Sequence, residues 1–566
     1  MKNEQHTRVI TWERTDLCFQ SSSVLKWSAF ALQLEFKCGS ETIHLDGFWS
    51  GDCNWTARFA PTHPGIWTWV SHSQDSAMDN HQGKIECIAP NTKQKKANKN
   101  LHGFIRIPKD EIHFQYADGE PFFFLGDTLW AINTLRCGLG EKENGNFFSW
   151  LKDRKQKGFT AACVQFFRRL NQSNEGGYPF PNNTDDNGIF THLNSEFFKH
   201  LDTRMNHIWD AGFVVAAHPT WFGKAQGGMT NISSLDAQLI TRYLLARYGS
   251  YNLIYSLSGE YQHSYLDMPN PWTRSDWQKL GAMVNKWNVY NHPVSIMPTG
   301  IQEGKSSLSS EANSGSSAGE FHQEAWLDHN WIQTGHRLSL MHLIPKTIKE
   351  NRNHLPLKPV IQSEGWYEGF EDTNLFVQCN DSHIRWQAWV SYLCGAVGYI
   401  YGHGDVWGYF SKLDDPNPKD ISTEKKEMLD RGLNAEGGIS LSYLRQLFDQ
   451  IAWWKLKPRQ DLISTKGLLS QEANEWYLRV PYCAAAPGEL YVVYYPLGTG
   501  KKRKDLLLKS GYEYSARWFN PRDGSFENIK MPRLDKNGKW DVPVTPGALD
   551  WVLVVENNHE LKNLNI

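Results

Sequence analysis

Between about residue 101 and residue 460 the chain alternates short, continuous apolar runs with longer segments whose apolar side chains recur at helical spacing. Eight runs stand out: FFFLGDTLWAI, FTAACVQFF, FVVAAHPTW, LIYSLSGE, PVSIMPTG, NWIQTGH, KPVIQSEGW and AVGYIYGHGD. An apolar run without alternation is the pattern of a strand buried on both faces, and strands that alternate with helices build a parallel sheet. Eight such units close a (β/α)8 barrel. The intervening LDAQLITRYLLARY and IRWQAWVSYLCG read as helices, the second ending on Gly395 as a helix C-cap would.

The flanks follow another rhythm. In residues 1–95, LQLEFKC, TIHLDGFW, WTARFA and IWTWVS are short strand-like segments separated by Gly, Pro, Asp and Asn, which predicts a β-sandwich. APNTKQKKANKN, residues 89–100, is polar and basic and reads as a solvated linker. After LRQLFDQIAWWKLKPR, residues 461–566 return to strand-like segments, WYLRVPY, LYVVYYPL, YSARWFNP and DWVLVVE, and predict a second β-sandwich. The expected fold class is multidomain, α/β plus all-β: a central (β/α)8 TIM barrel, residues 101–460, between N-terminal and C-terminal β-sandwich domains. No internal repeat is visible.

Composition changes this picture in three places. A chain of 566 residues exceeds a single hydrophobic core, in keeping with three domains. The 59 Lys and Arg balance 61 Asp and Glu, so there is no overall field to attract nucleic acid or a membrane surface. Aromatic residues are abundant, with 25 Trp, 22 Tyr and 28 Phe, and an aromatic face suits the C–H face of a sugar ring. The nine Cys are scattered, with no C-x-x-C pair, which argues against a zinc site or a disulfide framework. The N-terminus MKNEQHTRVITWERTD has no apolar signal core, and no stretch reaches the ~18 apolar residues of a membrane span. A cytoplasmic protein without cofactor or bound metal is expected, either monomeric or a homo-oligomer.

In a (β/α)8 barrel, polar residues at the C-terminal ends of strands have no packing reason to be there and carry the chemistry. Here they are Asp127 and Trp130 (first strand), Arg168 (second), His218 and Trp221 (third), Glu260 (fourth), Gln333 and His336 (sixth), Glu364 and Trp366 (seventh), and Tyr401, His403, Asp405 and Trp407 (eighth). Two carboxylates converging across a barrel mouth are what acetal cleavage needs, one to protonate the leaving oxygen and one to stabilise the oxocarbenium-like centre. Glu260 is assigned as acid/base, with a raised pKa, and Glu364 as an ionised nucleophile. Asp127, Trp130, Arg168, His218, Trp221, His336, Trp366, Tyr401, His403 and Trp407 are the candidate sugar-binding residues. The long polar and glycine-rich insertions NQSNEGGYPFPNNTDDNG and SSLSSEANSGSSAGE fall on the strand-to-helix side and are expected to form a lid.

Three alternatives stand beside this reading. Either Glu could be an ion-pair partner of Arg168 or of a nearby Lys. His218, His336 and His403, with Asp127, could hold a divalent metal in a metal-dependent hydrolase, although the first strand has no H-x-H pair. The chain could also be a non-catalytic carbohydrate-binding protein that keeps its aromatic platforms.

GFWSGDCNWTARFAPTHPGIWTW in the first domain, FFFLGDTLW, ARYGSYNLIYSLSGE, KPVIQSEGWYEG and GAVGYIYGHGDVWG in the barrel, and ARWFNPRDGSFEN with PGALDWVLVVE at the end resemble the apiosidase-like glycoside hydrolases in order and spacing. That family combines an N-terminal β-sandwich, a (β/α)8 barrel and a C-terminal domain named for collagen binding. The resemblance implies glycosidase activity with Glu260 and Glu364 as the catalytic pair. Two positions depart from the pattern: the family commonly has Asp at the place of Glu260, and the broader clan of retaining barrels has Asn at the place of Gly259. A longer proton donor implies a different aglycone position or sugar ring.

Overall fold

The computed structural model describes residues 6–109, 112–140, 145–167, 173–181, 190, 192–219, 221–223, 229–266, 268–311, 313–408, 423–464, 479–497, 505–530 and 534–558. At its centre are the eight anticipated strands: β1 (Phe124–Leu129), β2 (Ala161–Gln165), β3 (Val214–His218), β4 (Leu253–Ser256), β5 (Val294–Ser295), β6 (Asn330–Gln333), β7 (Val360–Glu364) and β8 (Gly398–Tyr401). They form one parallel sheet in the order β5-β4-β3-β2-β1-β8-β7-β6. The first and last strands of the domain pair, Phe124 with Gly398 through to Asp127 with Tyr401, so the sheet curls on itself. The seam between β5 and β6 has no ladder. It is held by Asp328, whose N–H donates to the Val294 carbonyl (2.8 Å) and whose carboxylate accepts from the Val294 N–H (2.8 Å), and by Ser295 Oγ donating to the His329 carbonyl (2.6 Å).

Both faces of this sheet are buried, which is why the strands read as unbroken apolar runs. Phe124, Cys163, Val214, Ala216, Ile254, Met297, Trp331, Ile361 and Ile400 fill the barrel interior. Their strand neighbours Leu125, Ala162, Val164, Val215, Leu253, Ile332, Val360 and Tyr401 pack outward against the helices. Those helices include Ser195–Asp210, Ser234–Tyr248, Arg274–Trp287 and Asp381–Leu393. The last ends as expected, with Gly395 at φ +97° just beyond it.

The N-terminal region is a five-stranded sheet facing a three-stranded one, with Trp55, Trp67 and the stacked Phe36 and Phe59 (centroids 3.9 Å apart) between them. It docks on the barrel through Arg58, which bonds Asp16 and Asp202, and through Arg242, which grips Asp46 with two 2.7 Å bonds. The predicted solvated linker is partly helical. Thr92–Ala97 forms a helix closed by an Asn91–Gln94 capping box, a local hydrogen-bond exchange that needs no core contact. Just beyond it, Asn100 is buried and donates to the carbonyls of Trp209 and Phe213. At the other end a six-stranded antiparallel sheet leans on the helix Asp381–Leu393, where Trp389 stacks on Tyr494 and Arg385 pairs with Asp550 at 2.8 Å. Among the described residues no helix is long and apolar enough to cross a membrane.

Candidate active site

Strict alternation along β7 would turn Glu364 away from the mouth, because Ile361 points into the barrel and Glu364 stands three positions further on, an odd offset. The strand avoids this with a bulge: Ile332 pairs with Gln362 but Gln333 pairs with Glu364, leaving Ser363 as an extra residue, tied to the Ile332 carbonyl at 2.8 Å. A bulge next to a functional residue re-aims its side chain. Glu364 thereby shares the inner face with Gln333.

Glu260 lies four residues beyond the end of β4, in the left-handed region at φ +39°. A non-glycine residue held there costs on the order of 1–3 kcal/mol and persists where the surroundings impose it, commonly at functional sites. Gln333 Nε2 donates to Glu260 Oε1 (3.0 Å), and His263 Nε2 lies 3.5 Å from Oε2. Gln333 therefore links the two carboxylates, bonded to one and paired in register with the other.

Both are enclosed, Glu364 at 3% exposure and Glu260 at 8%. Burial is the main cause that raises the Glu364 pKa, and the negative charge of Glu260 adds to it. The His336 ring, hydrogen-bonded to Glu364 Oε1 at 2.9 Å, and the Tyr367 hydroxyl act in the opposite direction. Burial thus pushes up the Glu364 carboxyl, the one expected from the sequence to stand ionised. The physical reason is the depth at which the bulge sets Glu364. Among the described residues its second oxygen, Oε2, accepts no hydrogen bond.

Aromatic rings line the rest of the mouth. Trp130 donates from Nε1 to the Tyr367 hydroxyl (3.3 Å) and meets Trp221 edge to face at 5.1 Å. Tyr367 in turn faces His336 (4.4 Å) and Trp407 (6.4 Å). Two glycines make this possible. A Cβ at Gly402 would fall 2.2 Å from the Tyr367 ring, and one at Gly259 only 1.3 Å from Trp221 Nε1. His218 lies below Trp130, between it and Trp331, with its Nδ1–H donating to the Val164 carbonyl (3.3 Å). Burial holds it neutral, with a pKa lowered to about 3.

The structure thus brings Trp130, His218, Trp221, Glu260, His336, Glu364 and Trp407 to one mouth. Four other candidates lie elsewhere. Asp127 points outward into the helix layer, where Oδ2 accepts from Trp150 Nε1 (2.8 Å) and Arg154 Nε (2.7 Å) with both charges fully buried. Tyr401, paired with Asp127, shares that outer face and donates to Glu368 (2.5 Å). Trp366 packs on His383 of the outer helix, with its backbone N–H held by Gln387 (2.8 Å). His403 accepts from the Asp405 N–H (2.9 Å), lies 2.9 Å from where a Cβ at Gly432 would stand, and is lowered to about 3 first by burial and then by Arg154 and Arg431. In each case the period-two geometry of a strand, or its continuation beyond the bulge, turns the side chain from the mouth. Arg168 lies outside the described residues.

His218 lies under the Trp130 ring, His336 beside the Glu364 carboxylate and His403 against the Asp405 N–H, so they share no point. Among the described residues no three His, Cys, Asp or Glu gather to hold a metal ion. Tyr367 and Gln333 belong to the site although neither was among the expected sugar-binding residues. Adjacent aromatics in SEGWYEG cannot both face one side, and the choice of Trp366 over Tyr367 needed the bulge. The described residues of the segment 306–320 form no loose lid: Ser307, Ser314, Ser316 and Ser317 are fully buried, and Ser316 and Ser307 bond Asn351. Small side chains let it pack tightly, to the point that a Cβ at Gly319 would meet the Ser309 carbonyl at 2.0 Å. Of the first insertion, residues 173–181 are described, and Asn174 there is buried and bonded to the Phe197 carbonyl.

Residues 108–455, more than half of the chain, match the family described as "Apiosidase-like, catalytic domain". The chain belongs to the apiosidase-like family. As an apiosidase-like protein it is a glycoside hydrolase, and its substrate is a carbohydrate. Residues 8–74 match a domain of unknown function and residues 466–556 a "Putative collagen-binding domain of a collagenase". No curated protein matches the sequence. Among solved structures, a "putative glycoside hydrolase" from Bacteroides vulgatus is 18% identical over 97% of this chain and 100% of its own, with a TM-score of 0.70. A glycoside hydrolase family 5 protein from the same organism is 20% identical, covers 82% of this chain and 95% of its own, and has a TM-score of 0.64. At such identities the likeness is one of fold.

Proposed function

We propose that this apiosidase-like enzyme is a retaining, exo-acting glycosidase of short glycosides, with Glu260 as acid/base and Glu364 as nucleophile. The observation that carries the reading is the pair itself: two enclosed carboxylates on one barrel mouth, joined through Gln333 and near enough for the charge of one to raise the pKa of the other. Two carboxylates so coupled favour a single shared proton, because the second ionisation works against the first. With that proton on Glu260, the repulsion on Glu364 disappears, while His336 and Tyr367 stabilise its ionised form.

In the first step the Glu364 carboxylate forms a bond to the anomeric carbon as the glycosidic C–O bond breaks, and the Glu260 proton passes to the departing oxygen. In the second, water attacks the same carbon, its proton goes to Glu260, and the ester bond to Glu364 breaks. Each step inverts the carbon, so the product keeps its configuration. Burial of the pair favours a closed pocket that takes a chain end, with the Trp130, Trp221 and Trp407 rings around the sugar.

The test is turnover of a panel of aryl glycosides and plant cell-wall oligosaccharides, furanosides included, by wild type, Glu260→Gln and Glu364→Gln, with NMR of the first-formed anomer. Loss of several orders of magnitude in both variants and a retained anomer are expected. Equal turnover by Glu364→Gln would remove it as nucleophile, and an inverted anomer would make it a base for water.

A further inference from the structure

The strained backbone at Glu260 has to be held, and the residues that hold it are found directly after it. Tyr261 and Gln262 are buried. The Tyr261 N–H donates to the Met297 carbonyl (3.1 Å), and the Gln262 amide donates to the Tyr261 hydroxyl (2.9 Å). The Gln262 Oε1 accepts from Thr299, through its N–H (2.6 Å) and its hydroxyl (3.0 Å). The Tyr261 hydroxyl donates to Glu320 Oε1 (2.8 Å), and the Tyr265 hydroxyl, from the short helix that follows, donates to Glu320 Oε2 (2.9 Å).

Glu320 is thus a further enclosed carboxylate near the site, 6% exposed, with one phenol on each oxygen. It stands on the short helix Ala318–Phe321 at the end of the serine-rich segment, which is itself locked to the barrel through Asn351. Each tyrosine comes from the β4 loop and Glu320 from the β5 loop, so the carboxylate clamps the peptide carrying Glu260 to the neighbouring wall.

On the glycosidase reading above, we infer that Glu320 is a positioning residue for the acid/base: it acts through Tyr261 to fix where Glu260 presents its proton. Burial raises the Glu320 pKa, and the hydrogen bonds from the two neutral phenols oppose that rise. kcat/KM reports the first step alone, and there a misplaced proton donor matters only when the departing group needs a proton. Departure of a dinitrophenolate needs none, whereas departure of a methoxide does.

The experiment compares kcat/KM on the dinitrophenyl and methyl glycosides of the sugar that the wild type releases, for Glu320→Gln and Tyr261→Phe, with Glu260→Gln as reference. Tyr261→Phe keeps the ring in the core and tests the same link should Glu320→Gln fail to fold. Both are expected to lose on the order of tenfold or more on the methyl glycoside and little on the dinitrophenyl one, as a small displacement of a catalytic group does. Equal losses on both substrates, or none on either, overturn the inference while Glu260→Gln still shows the split. If Glu260→Gln itself shows no split, the acid/base assignment fails and the inference with it.

Discussion

Replacing Asp127 by Asn separates two roles that its position at the end of β1 leaves open, sugar contact and internal ion pair. The carboxylate and the Arg154 guanidinium are both at 0% exposure and 2.7 Å apart. Among the described residues, removing the negative charge leaves Arg154 facing only Asp153 at the edge of the layer (2.5 Å), with Nη2 already without a partner. Breaking one side of a buried pair costs about 3–5 kcal/mol. The remaining Asp153 places this case at the lower end, about 3 kcal/mol, or a fall in midpoint of roughly 5 °C for a domain of this size. Asp127→Ala, which also removes the acceptor of Trp150, should lose more. Asp127→Asn with Arg154→Met should recover part of the loss, because exchanging both charges for neutral groups is cheaper than orphaning one. Thermal melts followed by circular dichroism measure the stability, and kcat/KM well below the midpoint measures the site. An unchanged midpoint with a raised KM would refute the argument and return Asp127 to the sugar.

Three other outcomes follow from the same geometry. His336→Ala removes a group that lowers the Glu364 pKa, so the acidic limb of the kcat/KM profile should move to higher pH; a shift the other way would mean that His336 does not act on Glu364. Asp202 is raised by burial but lowered more by Arg247 and Arg58, to about 2, so its contribution to docking the N-terminal region is full above the ordinary carboxylate pKa near 4 and fades as pH falls toward 2. Melting midpoints across that window should fall steeply in wild type and less in Asp202→Asn, and parallel curves would contradict this. Gly259→Ala forces the Trp221 indole out of its place beside the acid/base, since the new Cβ would lie 1.3 Å from Nε1. At least a tenfold loss of kcat/KM with a changed tryptophan emission is expected, and full activity would show that the indole position is immaterial.

The architecture was legible from the chain alone. A strand buried on both faces must be continuously apolar, so the eight runs that become β1 to β8 announce themselves, and Glu260 and Glu364 are conspicuous because a packing surface has no use for a carboxylate. The flanking sheets are legible for a similar reason, their short alternating segments being punctuated by turn residues. Side-chain direction was less accessible. Asp127 and Tyr401 sit at strand ends as a binding residue would, yet the pleat points them at helices. Glu364 faces the mouth only because Ser363 is an extra residue in β7, and a bulge depends on the partner strand, which the local sequence does not contain. The same holds for Tyr367, whose ring needs the space above Gly402, for the Trp221 indole that replaces a side chain at Gly259, and for Glu320, brought to Tyr261 from a segment 59 residues away. Hydrophobic periodicity is a property of neighbours in the chain, and it was sufficient for the barrel. The reach of one carboxylate toward another, and the burial that sets their protonation, are properties of neighbours in space, and only the closed barrel determines them.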